Sequence, residues 1–187
     1  MMNSPRAPRR PNPASRPARE AVLGLALIAV GMSGLGEGGS IAAAQASGPC
    51  ALLTVDDVEP LASKASVNAG VATTLETVGL STCRFTWGVG TGHHKLDVKV
   101  GDASRMFGGV APDAIRQGLQ ASVTAGTADE AISDVGEAAV FEADSPYYVH
   151  TTAYVKGRIL EVHLDGFDAR EKKAQVIELL KLAASRL

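Results

Sequence analysis

The sequence has no C-x-x-C pair, no G-x-S-x-G turn and no H-E-x-x-H helix, and it holds only two cysteines in 187 residues. Those absences exclude thiol–disulfide exchange, the serine-hydrolase nucleophile elbow and the zincin metal helix. A strong charge of one sign is also missing, since 18 Lys+Arg stand against 20 Asp+Glu. No apolar run is long enough to cross a bilayer. The run Ala21–Met32, AVLGLALIAVGM, covers about 18 Å as a helix, against a hydrocarbon core of about 30 Å. With 45% hydrophobic residues, the chain is neither collagenous nor a long disordered tail.

What is present divides unevenly. Five of the nine prolines fall in the first 17 residues and five basic residues in the first 19: Arg6, Arg9, Arg10, Arg16 and Arg19. The short apolar run follows, and then the small-residue stretch Ile41–Ser47, with A-x-A sites at Ala42–Ala44 and Ala44–Ala46. A basic start, a short apolar centre and a small-residue cleavage site read as a secretory signal peptide over residues 1–46. Residues 47–187 are then one globular domain, with 13 basic against 18 acidic residues, a net charge near −5. An acidic chain with dispersed lysines and arginines has no footprint for a phosphate backbone or an anionic membrane, so nucleic acid is not expected as a partner. A stable membrane span after cleavage is not expected either. The compartment read from this is periplasmic or secreted.

Cys50 and Cys83 both lie beyond the leader. Two thiols in a small exported domain pair most simply as one structural disulfide. Lipidation of Cys50 is disfavoured, because Ser47 and Pro49 stand where a lipobox has an aliphatic and a small residue.

Three segments, Cys50-Ala51-Leu52-Leu53-Thr54-Val55-Asp56-Asp57-Val58, Cys83-Arg84-Phe85-Thr86-Trp87 and Asp134-Val135-Gly136-Glu137-Ala138-Ala139, resemble a group of small bacterial envelope proteins. That group opens with C-x-L-L-T and pairs its first cysteine with one in a C-x-[FWY] strand. Many of its members are lipoproteins of unknown function. The resemblance implies a fold and an envelope setting, and carries no activity with it.

Alternation of apolar and polar residues predicts strands at 83–87 and 95–100, and Glu137–Phe141 enters another. The Gly-rich segment 88–94 between the first two is a hairpin loop rather than a phosphate cradle, because a strand and not a helix follows it. Tyr147–Val155 and Arg158–Leu164 flank Lys156-Gly157, a two-residue hairpin connection. In that register Val149 faces Leu164, Thr151 faces Val162 and Ala153 faces Leu160 on one face, and His150 faces His163 on the other. A short helix over about 57–65, which Thr54 or Asp56 can cap, with Asp56 or Asp57 preferred because Pro60 then falls in the first turn, a second from Pro112 with Ile115, Gly118 and Leu119 inward, and a C-terminal helix over 169–187 capped by Asp165 or Asp168 complete the reading. Residues 66–80 show no period, and 123–134 read as a loop. The fold class is α+β: an antiparallel sheet of about five strands with helices on one face, including the C-terminal helix.

Chemistry-bearing residues are few. His150 opposite His163, with Glu161 on the same face, can share a zinc or copper ion across a strand pair. Tyr148 and Tyr154 on that strand suit a partner surface. His93-His94 read as a solvated loop pair. No catalytic residues are assigned and no cofactor is implied. The function expected is a non-catalytic exported binding or envelope-associated protein whose partner is an unknown protein or small molecule. The alternatives are an inhibitor or immunity-type protein against a secreted enzyme, and a metal-binding protein using His150 and His163.

Overall fold

The computed structural model describes residues 48–187; the expected signal peptide lies outside them. A short 3-10 turn, Gly48–Ala51, leads into α1, Val55–Ala62. The sheet strands are β1 Val71–Leu75, β2 Leu80–Trp87, β3 His94–Asp102, β4 Glu130–Ala131, β5 Ala138–Ser145, β6 Tyr148–Val155 and β7 Arg158–Asp165. Helices α2, Ala103–Met106, and α3, Pro112–Thr124, lie between β3 and β4, and α4, Lys173–Ser185, closes the chain. All strand pairings are antiparallel, in the order β1-β2-β3-β7-β6-β5-β4. The class is therefore α+β.

Seven strands form the sheet among the described residues, not about five. The two extra ones are its edges. β1 is exposed at all five positions, so it has no inward face to imprint a period on the sequence. β4 is only two residues long.

One face of the sheet carries the main core. Phe85, Trp87, Leu96, Val98, Val149, Ala153, Leu160, Val162 and Leu164 are buried there with Val58 and Leu61 of α1 and Val176, Leu179, Leu180 and Ala183 of α4. The β6–β7 register is the predicted one at each pair, including His150 opposite His163. Lys156 and Gly157 turn the chain with positive φ, 49° and 79°, as a two-residue hairpin requires.

The helices do not all lie on one face. Tyr154 and Ile159 share the His150 face by strand alternation, and they are buried with Ile115 of α3 and Ala103 of α2. A small second layer thus covers one end of the opposite face. Gly118, expected inward on α3, is exposed.

Two caps differ from expectation. Of the candidates for α1, Thr54 is the cap rather than the preferred Asp56 or Asp57: Asp57 N–H donates to Thr54 Oγ1 at 3.4 Å, and Thr54 N–H donates back to Asp57 Oδ2 at 2.7 Å. That reciprocal pair satisfies two orphan amides at once. It starts the helix at Val55 and leaves Pro60 inside it. At the other end of the chain, Ala169–Lys172 is a 3-10 turn and Asp168 makes no cap bond to α4. Its carboxylate is used elsewhere.

The Cys50–Cys83 disulfide is present, with Cα atoms 5.0 Å apart. It fastens the 3-10 turn before α1 to β2, and Cys83 is fully buried. A disulfide fits an oxidising, exported compartment. Among the described residues, no helix is long and apolar enough to cross a membrane.

Candidate functional site

Strand register assembles a transverse row on the face opposite the main core. Arg84 of β2 pairs with Asp97 of β3, Asp97 with His163 of β7, His163 with His150 of β6, and His150 with Glu142 of β5. Five strands each contribute one ionisable side chain to a single line. The sequence-level hairpin reading found the two central members. The outer three follow only from the order of the strands.

The row is held by specific contacts. Arg84 Nε and Nη2 donate to the two oxygens of Asp97 at 2.7 and 2.8 Å, a bidentate pair that fixes both planar groups. The Asp97 partner raises the Arg84 guanidinium above its ordinary value. Beside it, the rings of His163 and His150 lie 5.0 Å apart between centroids, tilted by 36°. Tyr148 packs edge-on to His163, and its hydroxyl stands 2.6 Å from His163 Nδ1. Burial pushes the Tyr148 phenol up, helped by Asp144 and Glu161.

Lys99 reaches the same nitrogen at 3.1 Å and the Glu161 carboxylate at 3.6 Å. Glu161 lies 3.0 Å from His163 Nε2. Burial pushes the Glu161 carboxyl up, but contact with His163 and the charges of Lys99 and His150 more than offset it, and the net direction is down. Glu161 is thus an ionised partner of Lys99 and His163.

His150 is flanked on its other side. Glu142 Oε2 lies 3.1 Å from Nε2 and Asp144 Oδ2 lies 3.6 Å from Nδ1. Asp144 reaches that place because β5 changes register between Glu142 and Ser145. One extra residue bends the strand and turns a second carboxylate towards the ring, a common use of β-bulges. Two ring nitrogens, His150 Nδ1 and His163 Nε2, are buried and make no hydrogen bond. Asp144 stands too far from His150 Nδ1 for a hydrogen bond, whereas Glu161 faces His163 Nε2 at contact distance as an ion-pair partner without hydrogen-bond alignment.

The expected metal triad His150, His163 and Glu161 is therefore only partly gathered. The two imidazoles meet, while Glu161 sits on the far side of His163 with Lys99. Among the described residues, the set whose ligand atoms all lie within 4.8 Å of one another is Glu142, Asp144 and His150. The expected tyrosine strip also divides. Tyr148 belongs to the row and keeps partial exposure, but Tyr154 is buried at 5% under α3, so it presents no surface to a partner.

A second polar cluster lies at the end of the sheet. His94 is 4% exposed, not solvated as its loop position suggested; only His93 is exposed. The His94 ring stacks on Trp87 at 5.2 Å and meets Phe167 edge-on at 5.0 Å. Its Nδ1 faces the Gly92 carbonyl at 2.8 Å and its Nε2 faces Asp168 Oδ1 at 2.6 Å. Lys172 joins Asp168 Oδ2 at 3.0 Å and donates to the Leu61 carbonyl at 2.6 Å. Burial pushes the Asp168 carboxyl up, and His94 and Lys172 outweigh it, holding it below the usual carboxylate range. Among the described residues, the ring's hydrogen-bond partners are the Gly92 carbonyl and Asp168 alone, and the cluster ties three segments together.

The chain matches no family profile, no curated protein and no solved structure.

Proposed function

We propose that this is an exported, non-catalytic binding protein, periplasmic or secreted and envelope-associated, whose working surface is the His150–His163 face of the sheet. The observation that carries the reading is the five-strand row itself. It concentrates ionisable side chains on the face that the main helices leave alone, and it encloses one imidazole nitrogen, His150 Nδ1, with no partner within hydrogen-bonding distance. Buried polar atoms are satisfied in the great majority of cases. A nitrogen left open on a half-exposed face fits a surface completed by something from outside. Mixed charge on this face, Arg84 and Lys99 beside Asp97, Glu161 and Glu142, favours a polar ligand or protein patch of both signs over a uniformly anionic one.

Hydrogen–deuterium exchange tests this reading on the protein with and without an envelope extract from the producing cell. Added protection in β3, β6 and β7 on the His face supports it. Protection confined to α1 and α4, or none in any strand, contradicts it.

A further inference from the structure

We propose that β1 pairs with β1 of a second copy of this chain, antiparallel and about a two-fold axis at Thr73, to make a symmetric dimer with one continuous sheet. This goes beyond the reading of the His face and does not rest on it.

The observation behind it is an edge strand that buries nothing and is nevertheless held in place. Among the described residues β1 has a strand neighbour on one side only, and Val71–Leu75 is exposed at every position. Val71 and Leu75 are 63% and 57% exposed. Both ends of the strand are anchored. Ahead of it, Asn68 N–H donates to the Thr86 carbonyl and Asn68 Nδ2 to Thr86 Oγ1, each at 2.9 Å. Beyond it, Arg105 Nη2 donates to the Glu76 carbonyl at 2.8 Å. An edge strand so fixed offers a preformed row of unpaired N–H and C=O groups. The devices that usually blunt such an edge are missing: VATTL has no charge and no proline, and its register with β2 runs without a bulge.

The opposite edge is built differently. β4 is two residues long, and its Glu130 is tied to Lys173 at 2.6 Å. A very short, charged edge resists pairing, so the open strand of one copy meets the open strand of another. Association through one edge closes at two copies and does not run on as a filament.

The register follows from the ladder. Facing residues of an antiparallel pair turn their N–H and C=O groups either both towards or both away from each other, and the two cases alternate along a strand. Two copies of one strand therefore pair residues of like parity. The register that uses all five positions sets Thr73 opposite itself, Val71 opposite Leu75 and Ala72 opposite Thr74. Thr–Thr and aliphatic cross-strand pairs are favourable. Charge agrees, because Glu76, the first charged residue past the strand, falls opposite Gly70. Val71, Thr73 and Leu75 share the face of their β2 partners Arg84, Thr82 and Leu80. An axis normal to the sheet keeps that face on one side, so the two His150–His163 faces look the same way.

A five-residue strand pair falls below the roughly 1,200–2,000 Å² of a standard interface, and a Kd of about 10–1,000 μM is expected. Sedimentation of the purified protein from about 10 μM to about 1 mM spans that range and tests the proposal. The expected result is a monomer–dimer equilibrium with no larger species. Thr73→Lys and Thr73→Glu each place like charges at the axis and should weaken it at least about tenfold. An equimolar mixture of the two should recover dimer, since opposite charges then face each other. Thr73 is exposed, and an unchanged urea midpoint shows that either variant stays folded. A parent that is monomeric at the highest concentration leaves the edge to an extended segment of another protein and overturns the proposal. So does a dimer indifferent to both variants, or a mixture that recovers nothing.

Discussion

His94 and Asp168, 74 residues apart in the chain, meet at 2.6 Å at the rim of the main core. The contact joins the start of β3 to the segment ahead of α4, and Lys172 extends it to the last turn of α1 through the Leu61 carbonyl. Asp168 therefore compensates a largely buried lysine and a buried imidazole at once. Removing one partner of such a group leaves the others uncompensated, which costs more than the pair itself contributes. Asp168→Ala is expected to destabilise the protein by about 3 kcal/mol, read as a lower urea midpoint with an unchanged slope.

Gly166 makes the same slot possible. A Cβ there would overlap the His94 ring at Cδ2, so Gly166→Ala must displace the ring from between Trp87 and Phe167. A loss of about 1–3 kcal/mol is expected, in the range of overpacked cores. Trp87 is the only tryptophan, and a changed emission spectrum should accompany the loss. An unchanged spectrum and midpoint would show that the slot is looser than its contacts imply.

Asp57 and Arg186 clamp the two helices of the main face together. The guanidinium donates to both Asp57 oxygens, at 2.5 and 3.2 Å, and to the Leu52 carbonyl at 3.0 Å. Its hydrogen bond, with the Thr54 cap, outweighs burial and lowers the Asp57 pKa from 3.8 to about 2. A folded-state value below the unfolded one contributes stability that is present above about pH 4 and lost as pH falls towards 2. Arg186 is partly exposed, so screening reduces the full linkage value to about 1–2 kcal/mol. Arg186→Met should therefore lower stability by that amount at pH 7, and its stability curve should converge with the parent's near pH 2. Parallel curves across this range would contradict the assignment.

The disulfide closes 33 residues. Chain-entropy arguments give about 3–4 kcal/mol for a loop of that length. Cys50→Ala with Cys83→Ala should lose at least that much, because Cys83 is fully buried and alanine leaves a small void. Comparing the urea midpoints of the parent and the double variant checks it.

Much of this architecture was legible where one face of an element is buried and the other is not. The β6–β7 hairpin could be read to the residue because Val149, Thr151 and Ala153 alternate against Leu160, Val162 and Leu164 around a Lys-Gly turn. β1 could not, since an edge strand exposed on both faces leaves no alternation between Val71 and Leu75. An aspartate cap would put Pro60 in the first turn of α1, but the Thr54–Asp57 capping box starts the helix earlier. Site residues followed the same rule. His150 and His163 came from one hairpin, whereas Glu142, Asp97 and Arg84 joined them through strand order. Asp144 joined through a bulge that no local pattern announces. His94 reads as solvated in the sequence because the glycine-rich segment before it says nothing of Trp87, Phe167 and Asp168 closing over the ring.

The central claim is that the His150–His163 face is the working surface, and amide NMR mapping tests it most directly. The 15N-labelled protein is titrated with the soluble envelope fraction of the producing cell. The account predicts shifts or broadening concentrated at Lys99, Tyr148, His150, Glu161 and His163, and abolished by Lys99→Glu. Perturbations confined to the α1 and α4 face, or a spectrum that does not change, would contradict it.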